Sequence, residues 1–170
     1  MTVIEWRRTL NMTVVRREPM RERRENRGGE PMTSISEIMS ENPVCLDEGA
    51  SVLEAARAMR DQHIGNVIVT REGRVFGILT DRDIVVRCLA QDKDLRQCTC
   101  GEVCSSTDVV TISRDAPIEQ AVALMRERAV RRLVVVDGEE PVGIVSLGDL
   151  AKERDRASAL GEISAAAPNL

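Results

Sequence analysis

Apolar positions along the chain follow two different periods. Between residues 52 and 59 they recur at three- and four-residue steps, which is the spacing of one face of an α-helix. Short continuous apolar runs follow at 66–70 and 75–80, on either side of Arg71-Glu72-Gly73. Two such runs around a turn predict a β-hairpin.

The same pattern returns 66 residues later. Residues 77–80 (Gly-Ile-Leu-Thr) align with residues 143–146 (Gly-Ile-Val-Ser), and Asp83 aligns with Asp149 at the same shift. Like segments at a fixed offset are the mark of an internal repeat. The chain is therefore predicted to be a tandem of two similar units.

Each unit has the same predicted order of elements: a short strand, a helix, a hairpin and a closing helix. The short strands are predicted at 43–46 and 109–112, and the closing helices at 81–90 and 147–156. Pro117 is expected to be the first residue of the main helix in the second unit, because its fixed φ suits that position.

These elements divide the chain into four parts. An Arg- and Glu-rich tail is expected at 1–33, the first domain at 34–95, the second domain at 96–156 and a C-terminal tail at 157–170. The N-terminal tail mixes Arg with Glu and ends in Gly-Gly-Glu-Pro, which indicates a flexible, solvated leader rather than an arm that binds nucleic acid.

The composition is that of an ordinary globular protein. Hydrophobic residues make up 42% and charged residues 31% of the chain, and the formal net charge is -4. No apolar run approaches the roughly 20 residues that a membrane span needs, and the Arg-rich start lacks the apolar region of a signal peptide. The protein is therefore expected in the cytoplasm, without a membrane partner.

Scarce aromatic and imidazole groups exclude several kinds of site. Trp6 and Phe76 are the only aromatic residues, and His63 is the only histidine. Few aromatics disfavour the stacking surfaces that bind single-stranded nucleic acid. One histidine excludes a multi-histidine metal site within the chain. No nucleophile and base occur at a plausible spacing, so the chain is expected not to be an enzyme.

Five cysteines are many for 170 residues. Cys98, Cys100 and Cys104 cluster between the two units, and three thiolates with a fourth ligand can hold Zn²⁺. A metal or redox sensor is therefore one hypothesis. The spacing is not a standard zinc spacing, and reduced cytosolic thiols are the preferred interpretation.

Each unit carries the pattern Gly, two hydrophobic residues, Thr or Ser, two further residues and Asp. The first signature is residues 77–83 and the second signature is residues 143–149. Two such signatures at the repeat offset, each behind a Val-rich hairpin, resemble the CBS domain pair, or Bateman module. Residues 80–84 (Thr-Asp-Arg-Asp-Ile) are similar to small stand-alone members of the hypoxic response protein type.

The resemblance implies an α/β (α+β) fold of two βαββα units, the tandem CBS domains. Each unit would have a three-stranded sheet with helices on one side. The units would pack about a pseudo-two-fold axis through their sheets, with clefts between them. Such clefts commonly bind AMP, ADP, ATP, NAD or S-adenosylmethionine, so the resemblance implies a regulatory adenosyl ligand and no required cofactor.

The resemblance also implies ligand-binding residues. Asp83 and Asp149 are candidates to accept hydrogen bonds from the ribose hydroxyls, while Thr80 and Ser146 would meet phosphate oxygens. The remaining candidates would contact adenine or phosphate: Val44, Cys45, Ile64, Asn66, Val110, Thr111, Val130, Arg131 and Arg132.

The two units are not expected to be equivalent. Arg131 and Arg132 can grip phosphate in the second unit, where residues 65–66 of the first unit are Gly-Asn. Asp81 adds negative charge to the first signature, whereas residues 147–148 (Leu-Gly) are expected to leave the second signature neutral and open. We expect one good site and one poor or empty site.

Other interpretations of the same residues stay open. The Thr, Ser and Asp residues of the signatures also suit helix caps, which fits a ligand-free module that binds another protein. The resemblance implies a homodimer through helices, although the same small-residue stripes also suit covering their own sheets. The stripes comprise Ala55, Ala56, Ala58, Met59, Ala121, Val122 and Met125. The sequence does not identify the effector protein.

Overall fold

The computed structural model describes residues 33–107, 109–154 and 158–166, which form two compact units. In chain order the elements are α1 (Ile35–Ile38), β1 (Ser40–Glu41), β2 (Cys45–Asp47), α2 (Val52–Gln62), β3 (Asn66–Arg71), β4 (Arg74–Thr80), α3 (Asp81–Asp83), α4 (Cys100–Val103), β5 (Thr111–Ser113), α5 (Ile118–Arg128), β6 (Arg132–Asp137), β7 (Glu140–Ser146), α6 (Leu147–Arg154) and α7 (Ala159–Ala165). The predicted α/β class is confirmed. Residues 1–32, nearly all of the predicted N-terminal tail, lie outside the described residues.

The first unit contains a three-stranded sheet in the order β2-β3-β4. β2 runs parallel to β3, and β3 runs antiparallel to β4 with Asn66 opposite Thr80. The core lies on one face of this sheet, because Val67 and Val69 belong to the hydrophobic cluster while Ile68 points the other way. The last residue of β4 and the first residue of β3 therefore lie at the same end of the sheet.

The second unit contains four strands, in the order β1-β7-β6-β5. β5 and β6 are parallel, as β2 and β3 are in the first unit. The additional strand is β1, which pairs antiparallel with β7 and places Ser40 opposite Ile144. The expectation of three strands in each unit is therefore wrong for the second unit, because the segment that precedes the first repeat reaches this sheet.

The short helices α1 and α4 precede the first and the second repeat, and each packs with the repeat that it does not precede. Ile35 of α1 is fully buried in the core of the second unit, and its N–H donates to the Ala116 carbonyl at 2.9 Å. Cys100 of α4 is fully buried in the first unit, where its N–H donates to the Ala50 carbonyl at 2.7 Å. The compact units thus differ from the predicted domains, which began at 34 and 96. Burial of the apolar side chains of α1 and α4 stabilises this arrangement, in which each unit contains the short helix that precedes the other repeat.

Two glycines 66 residues apart allow these segments to approach the sheets. A Cβ at Gly77 would lie 2.5 Å from the Cys104 Sγ and 3.1 Å from the Ser105 carbonyl oxygen. A Cβ at Gly143 would lie 2.6 Å from the Met39 Sδ and 3.1 Å from the Ser40 carbonyl oxygen. A Cβ at either position would force the neighbouring sulfur side chain to shift and would crowd a backbone carbonyl oxygen, so glycine at the first position of each signature permits this close packing.

The closing segments of the two units differ. In the second unit α6 is one regular helix, but in the first unit α3 continues as a π-helical turn over Ile84–Cys88 and a 3₁₀ turn over Leu89–Gln91. Three consecutive β-branched residues, Ile84 to Val86, lower the preference for a regular α-helix there. No helix in the described ranges is long and apolar enough to cross a membrane.

The main helices begin and end much as the sequence pattern predicts. Ser51 caps α2 in a reciprocal arrangement with Glu54. Pro117 is the N-cap residue of α5 rather than its first helical residue, so the helix begins at Ile118, one residue later than predicted. Their small-residue stripes are largely buried within their own units: Ala55, Ala58, Met59, Ala121 and Met125 are at most 6% exposed. Only Ala56 and Val122 are partly exposed, so covering the sheet is the main role of the stripes.

Four cysteines are buried in the core of the first unit, namely Cys88, Cys98, Cys100 and Cys104. Burial raises the pKa of the Cys100 thiol to about 12, and it also raises the pKa of Cys104. Outside this core, burial raises the pKa of Cys45 to about 11. The raised pKa values keep the thiols of Cys45, Cys100 and Cys104 protonated in the folded protein at neutral pH.

The packing at Gly77 predicts that Gly77→Ala lowers the free energy of unfolding by about 1–3 kcal/mol, because the new methyl group overpacks the contact with Cys104. Urea unfolding measures this loss. The double variant Gly77→Ala/Cys104→Ala is expected to lose less than the sum of the two single variants, since the nearest sulfur is then absent. Strict additivity would contradict the proposed contact.

The raised pKa of Cys100 predicts a loss of stability in alkali. The folded state keeps the proton, while the unfolded thiol loses it near its usual pKa of about 9. The contribution of Cys100 to the free energy of unfolding is therefore fully present below pH 9 and is lost as the pH rises towards 12. The contribution is on the order of 1 kcal/mol between pH 8 and pH 10. Urea unfolding at pH 8 and at pH 10 measures this change, and the free energy of unfolding is expected to differ less between the two pH values for Cys100→Ala than for the parent protein. An unchanged difference would contradict this assignment.

Candidate functional site

The second signature ends β7 and starts α6 through three hydrogen bonds. The Ser146 N–H and hydroxyl both donate to Asp149 Oδ2, at 2.9 and 2.6 Å, and the Asp149 N–H donates to Ser146 Oγ at 3.3 Å. This is a reciprocal cap at a helix N-terminus. The Asp149 side chain is 17% exposed, and Lys152 Nζ lies 3.7 Å from its Oδ1.

The first signature has the same geometry at the start of α3. The Thr80 N–H and hydroxyl donate to Asp83 Oδ2 at 3.0 and 2.6 Å, and the Asp83 N–H donates to Thr80 Oγ1 at 3.2 Å. Arg87 Nε lies 3.4 Å from Asp83 Oδ1 and holds that oxygen near a positive charge. In both units the capping role is therefore observed, and one carboxylate oxygen of each aspartate is not used by the cap.

Several predicted ligand residues of the first unit share the face of the sheet that points away from the core. Asn66 is opposite Thr80, and Cys45 is opposite Ile68 in the parallel ladder. Residues opposite each other in a ladder project to the same face, and alternate residues share it. Cys45, Asn66 and Thr80 therefore lie on one face, where Asn66 is the only buried polar residue among those described.

The corresponding face of the second unit carries Thr111, Arg132 and Ser146. Leu133, Val135 and Val145 belong to the core, so their neighbours in the strands face away from it. Both Arg131 and Arg132 are exposed. The Arg131 carbonyl accepts from the Leu147 N–H at 3.0 Å, which places this arginine next to the second signature. Gly65 makes the equivalent bond to Asp81 in the first unit, at 3.2 Å.

Four further residues predicted to contact adenine pack with the cores of their own units. Val44 is a core residue of the first unit, and its carbonyl accepts from the Ile68 N–H at 2.8 Å. Val110 packs against the core of the second unit, and its carbonyl accepts from Val134. Ile64 and Val130 are partly buried against their own cores. Their side chains serve chiefly in packing.

The expectation that residues 147–148 are open is wrong for Gly148, whereas Leu147 is 43% exposed. A Cβ at Gly148 would lie 3.2 Å from the Ser164 Oγ of α7, so this C-terminal helix packs on the second signature. The sequence prediction treated 157–170 as a tail and missed α7. Two features of the sequence indicate this helix: Ser158 is a typical N-cap residue, and the apolar residues Leu160 and Ile163 are three positions apart.

The hypothesis of a metal site at Cys98, Cys100 and Cys104 is not supported by their geometry. Within residues 33–107, 109–154 and 158–166, no group of three or more His, Cys, Asp and Glu side chains is arranged to hold a metal ion. The Cys100 thiol instead contacts the Ser51 carbonyl oxygen at 3.6 Å, and the Cys104 thiol contacts the Gly101 carbonyl oxygen at 3.7 Å.

Comparison with known proteins agrees with the duplicated fold. The family model for the CBS domain matches residues 35–89 and again residues 100–156. The CBS domain-containing protein YhcV of Bacillus subtilis is 38% identical over 120 residues, which are 71% of this chain and 84% of that protein. Hypoxic response protein 1 of Mycobacterium tuberculosis is 34% identical over 122 residues, which are 71% of this chain and 85% of that protein.

Solved structures show the same likeness. The crystal structure of Hypoxic Response Protein I with two coordinated zinc ions matches with a TM-score of 0.65 and 33% identity, over 71% of this chain and 98% of that one. The CBS domain pair of protein MJ0100, in complex with 5-methylthioadenosine and S-adenosyl-L-methionine, matches with a TM-score of 0.64 and 29% identity, over 72% of this chain and 95% of that one. With two matched domains, two signatures and these relatives, the chain belongs to the CBS domain family.

Proposed function

We propose that this protein is a cytoplasmic sensor that binds an adenosyl ligand at its signatures and reports the bound state to an effector protein. The observation that carries the proposal is the duplicated pair of a hydroxyl residue and an aspartate at the end of the last strand in each unit. The adenosyl ligands of the related MJ0100 domain pair support the same ligand class.

The cap leaves groups with which a ribose can pair. Asp83 Oδ1 and Asp149 Oδ1 are not used by the capping bonds, and each lies next to a basic side chain. A carboxylate oxygen accepts two hydrogen bonds, so it can serve a ribose hydroxyl as well as its cationic neighbour. Because the caps are already formed, binding requires little reorganisation of the turn.

Polar groups near each signature suit different parts of the ligand. In the second unit the exposed guanidinium groups of Arg131 and Arg132 are suited to phosphate oxygens. In the first unit Asn66 shares the face of Thr80 and carries both a donor and an acceptor for the edge of a base. In each signature the hydroxyl and the carboxylate are bonded to each other as parts of a helix cap, so we propose regulation rather than catalysis.

Regulation follows if the ligand favours one conformation of the protein. Only a difference in affinity between two conformations can shift their populations. An adenosyl ligand that contacts a signature would stabilise the conformations in which those contacts form. The effector protein then recognises the favoured conformation.

The proposal predicts saturable binding of AMP, ADP, ATP, NAD or S-adenosylmethionine in calorimetry, with GMP giving no comparable heat. Asp83→Asn and Asp149→Asn are each expected to weaken binding at their own signature by at least about tenfold, since each removes a carboxylate charge from the ribose contact. Asp115→Asn is the matched control, because Asp115 is an exposed aspartate outside both signatures. Absence of binding to all five adenosyl compounds at millimolar concentration would contradict the proposal.

A second function, self-association, is favoured by one surface of the first unit. Val85, Val86 and Leu89 are 54%, 48% and 51% exposed on the closing segment. Adjacent exposed apolar side chains typically mark an interface. A two-fold axis through this patch would bury it against the same patch of a second copy, which is the commonest way to form a homodimer.

This surface predicts that Val86→Glu converts a dimer to a monomer in light scattering coupled to gel filtration, because a charge then enters the apolar contact. Ile163→Glu is the control, since Ile163 is also exposed, at 72%, but lies on α7. A monomeric parent protein, or a dimer that Val86→Glu leaves intact, would contradict the assignment of this surface.

A further inference from the structure

We propose that the C-terminal helix α7 is a cover over the second signature, and that it must move before a ligand reaches Ser146 and the first turn of α6. This inference concerns the regulation of one of the two adenosyl sites and rests on the proposed function.

The contact between α7 and the second signature is close. A Cβ at Gly148 would lie 3.2 Å from the Ser164 Oγ, 3.5 Å from the Ser164 Cβ and 3.6 Å from the Ser146 Oγ. Ser164 and Ser146 therefore both lie within 3.6 Å of the same point. Gly161, one turn earlier in α7, is also buried, which is consistent with a helix that lies along its neighbour.

The position of Gly148 in the first turn of α6 makes this contact relevant to binding. The Leu147 N–H donates to the Arg131 carbonyl, and the Asp149 N–H donates to Ser146 Oγ. Gly148 lies between them, where a helix N–H has no partner within its own helix. Such an amide is suited to an anionic group of a ligand, and Ser164 lies against the same residue.

The first unit has a different residue at the position of Gly148. At the repeat offset of 66 residues, the position of Gly148 is held by Arg82, which is exposed. Glycine is less favourable than arginine in a helix, so local preference does not explain Gly148. Close packing of α7 does, because a long side chain at 148 would occupy the position of Ser164.

α7 has the properties of an element that can detach. It contains seven residues, fewer than a helix needs for stability by itself, so its order depends on packing. Much of it faces solvent: Leu160 is 46% exposed and Ile163 is 72% exposed. Elements with few buried contacts open at low free energy. A ligand and α7 then compete for the second signature, and the covered population lowers the apparent affinity.

The test compares two full-length variants that differ at one exposed residue. Ile163→Pro breaks α7, because proline removes a backbone N–H and clashes within the preceding turn. Ile163→Ala removes the same side chain but preserves the helix. Both are made together with Asp83→Asn, which weakens the first site, and titrated with ATP and with S-adenosylmethionine in calorimetry.

If α7 is a cover, Ile163→Pro binds about tenfold more tightly than Ile163→Ala, as expected when the covered form outnumbers the open form about tenfold. Hydrogen exchange supplies a measurement without ligand. The Gly148 amide is expected to exchange faster in Ile163→Pro than in Ile163→Ala, because Ser164 of α7 lies against Gly148.

The outcomes separate the two proposals. Equal binding by Ile163→Pro and Ile163→Ala, with unchanged Gly148 exchange, overturns the cover while the adenosyl site stands. If neither probe binds to any variant or to the parent protein, the regulatory role of α7 is overturned, and the proposed function is overturned as well when AMP, ADP and NAD also fail to bind. Faster Gly148 exchange together with tighter binding supports the cover.

Discussion

The hydrogen bonds within each signature are the constraint on which the rest of each unit depends. A single aspartate oxygen accepts from both the N–H and the hydroxyl of the residue that ends the last strand, and the hydroxyl oxygen accepts from the aspartate N–H in return. These bonds satisfy backbone groups that a helix start would otherwise leave without partners. They also determine where the remaining carboxylate oxygen lies, so the same residues stabilise the fold and form the candidate site.

Packing at the start of each signature imposes a second constraint. Gly77 and Gly143 admit the backbone of a segment that comes from before the other repeat, and this segment carries a short helix into the core. Each unit is therefore completed by residues from outside its own repeat. A unit expressed according to the sequence boundaries alone would lack a buried helix that its core requires.

The two repeats share the same helix caps but differ in the residues next to these caps. The caps agree to within about 0.1 Å in every corresponding hydrogen bond, but Gly65 of the first unit corresponds to Arg131, and Arg82 corresponds to Gly148. The first difference adds positive charge beside the second signature. The second difference admits α7. Positive charge near the second signature favours binding of an anionic ligand, whereas the proposed cover by α7 lowers the apparent affinity. The two effects therefore act on the affinity of the same site in opposite directions.

The sequence by itself determined the duplication, the order of strands and helices within each repeat and the signature residues. These features are local or periodic: alternation of apolar residues, capping residues and a fixed offset are all visible along the chain. Tertiary structure alone decided which unit receives α1 and α4, why Val44 and Val110 turn to the core, and that α7 lies on Gly148. The physical reason is that these features depend on contacts between residues far apart in the chain, and an amphipathic or small-residue pattern indicates that a surface is covered without indicating which segment covers it.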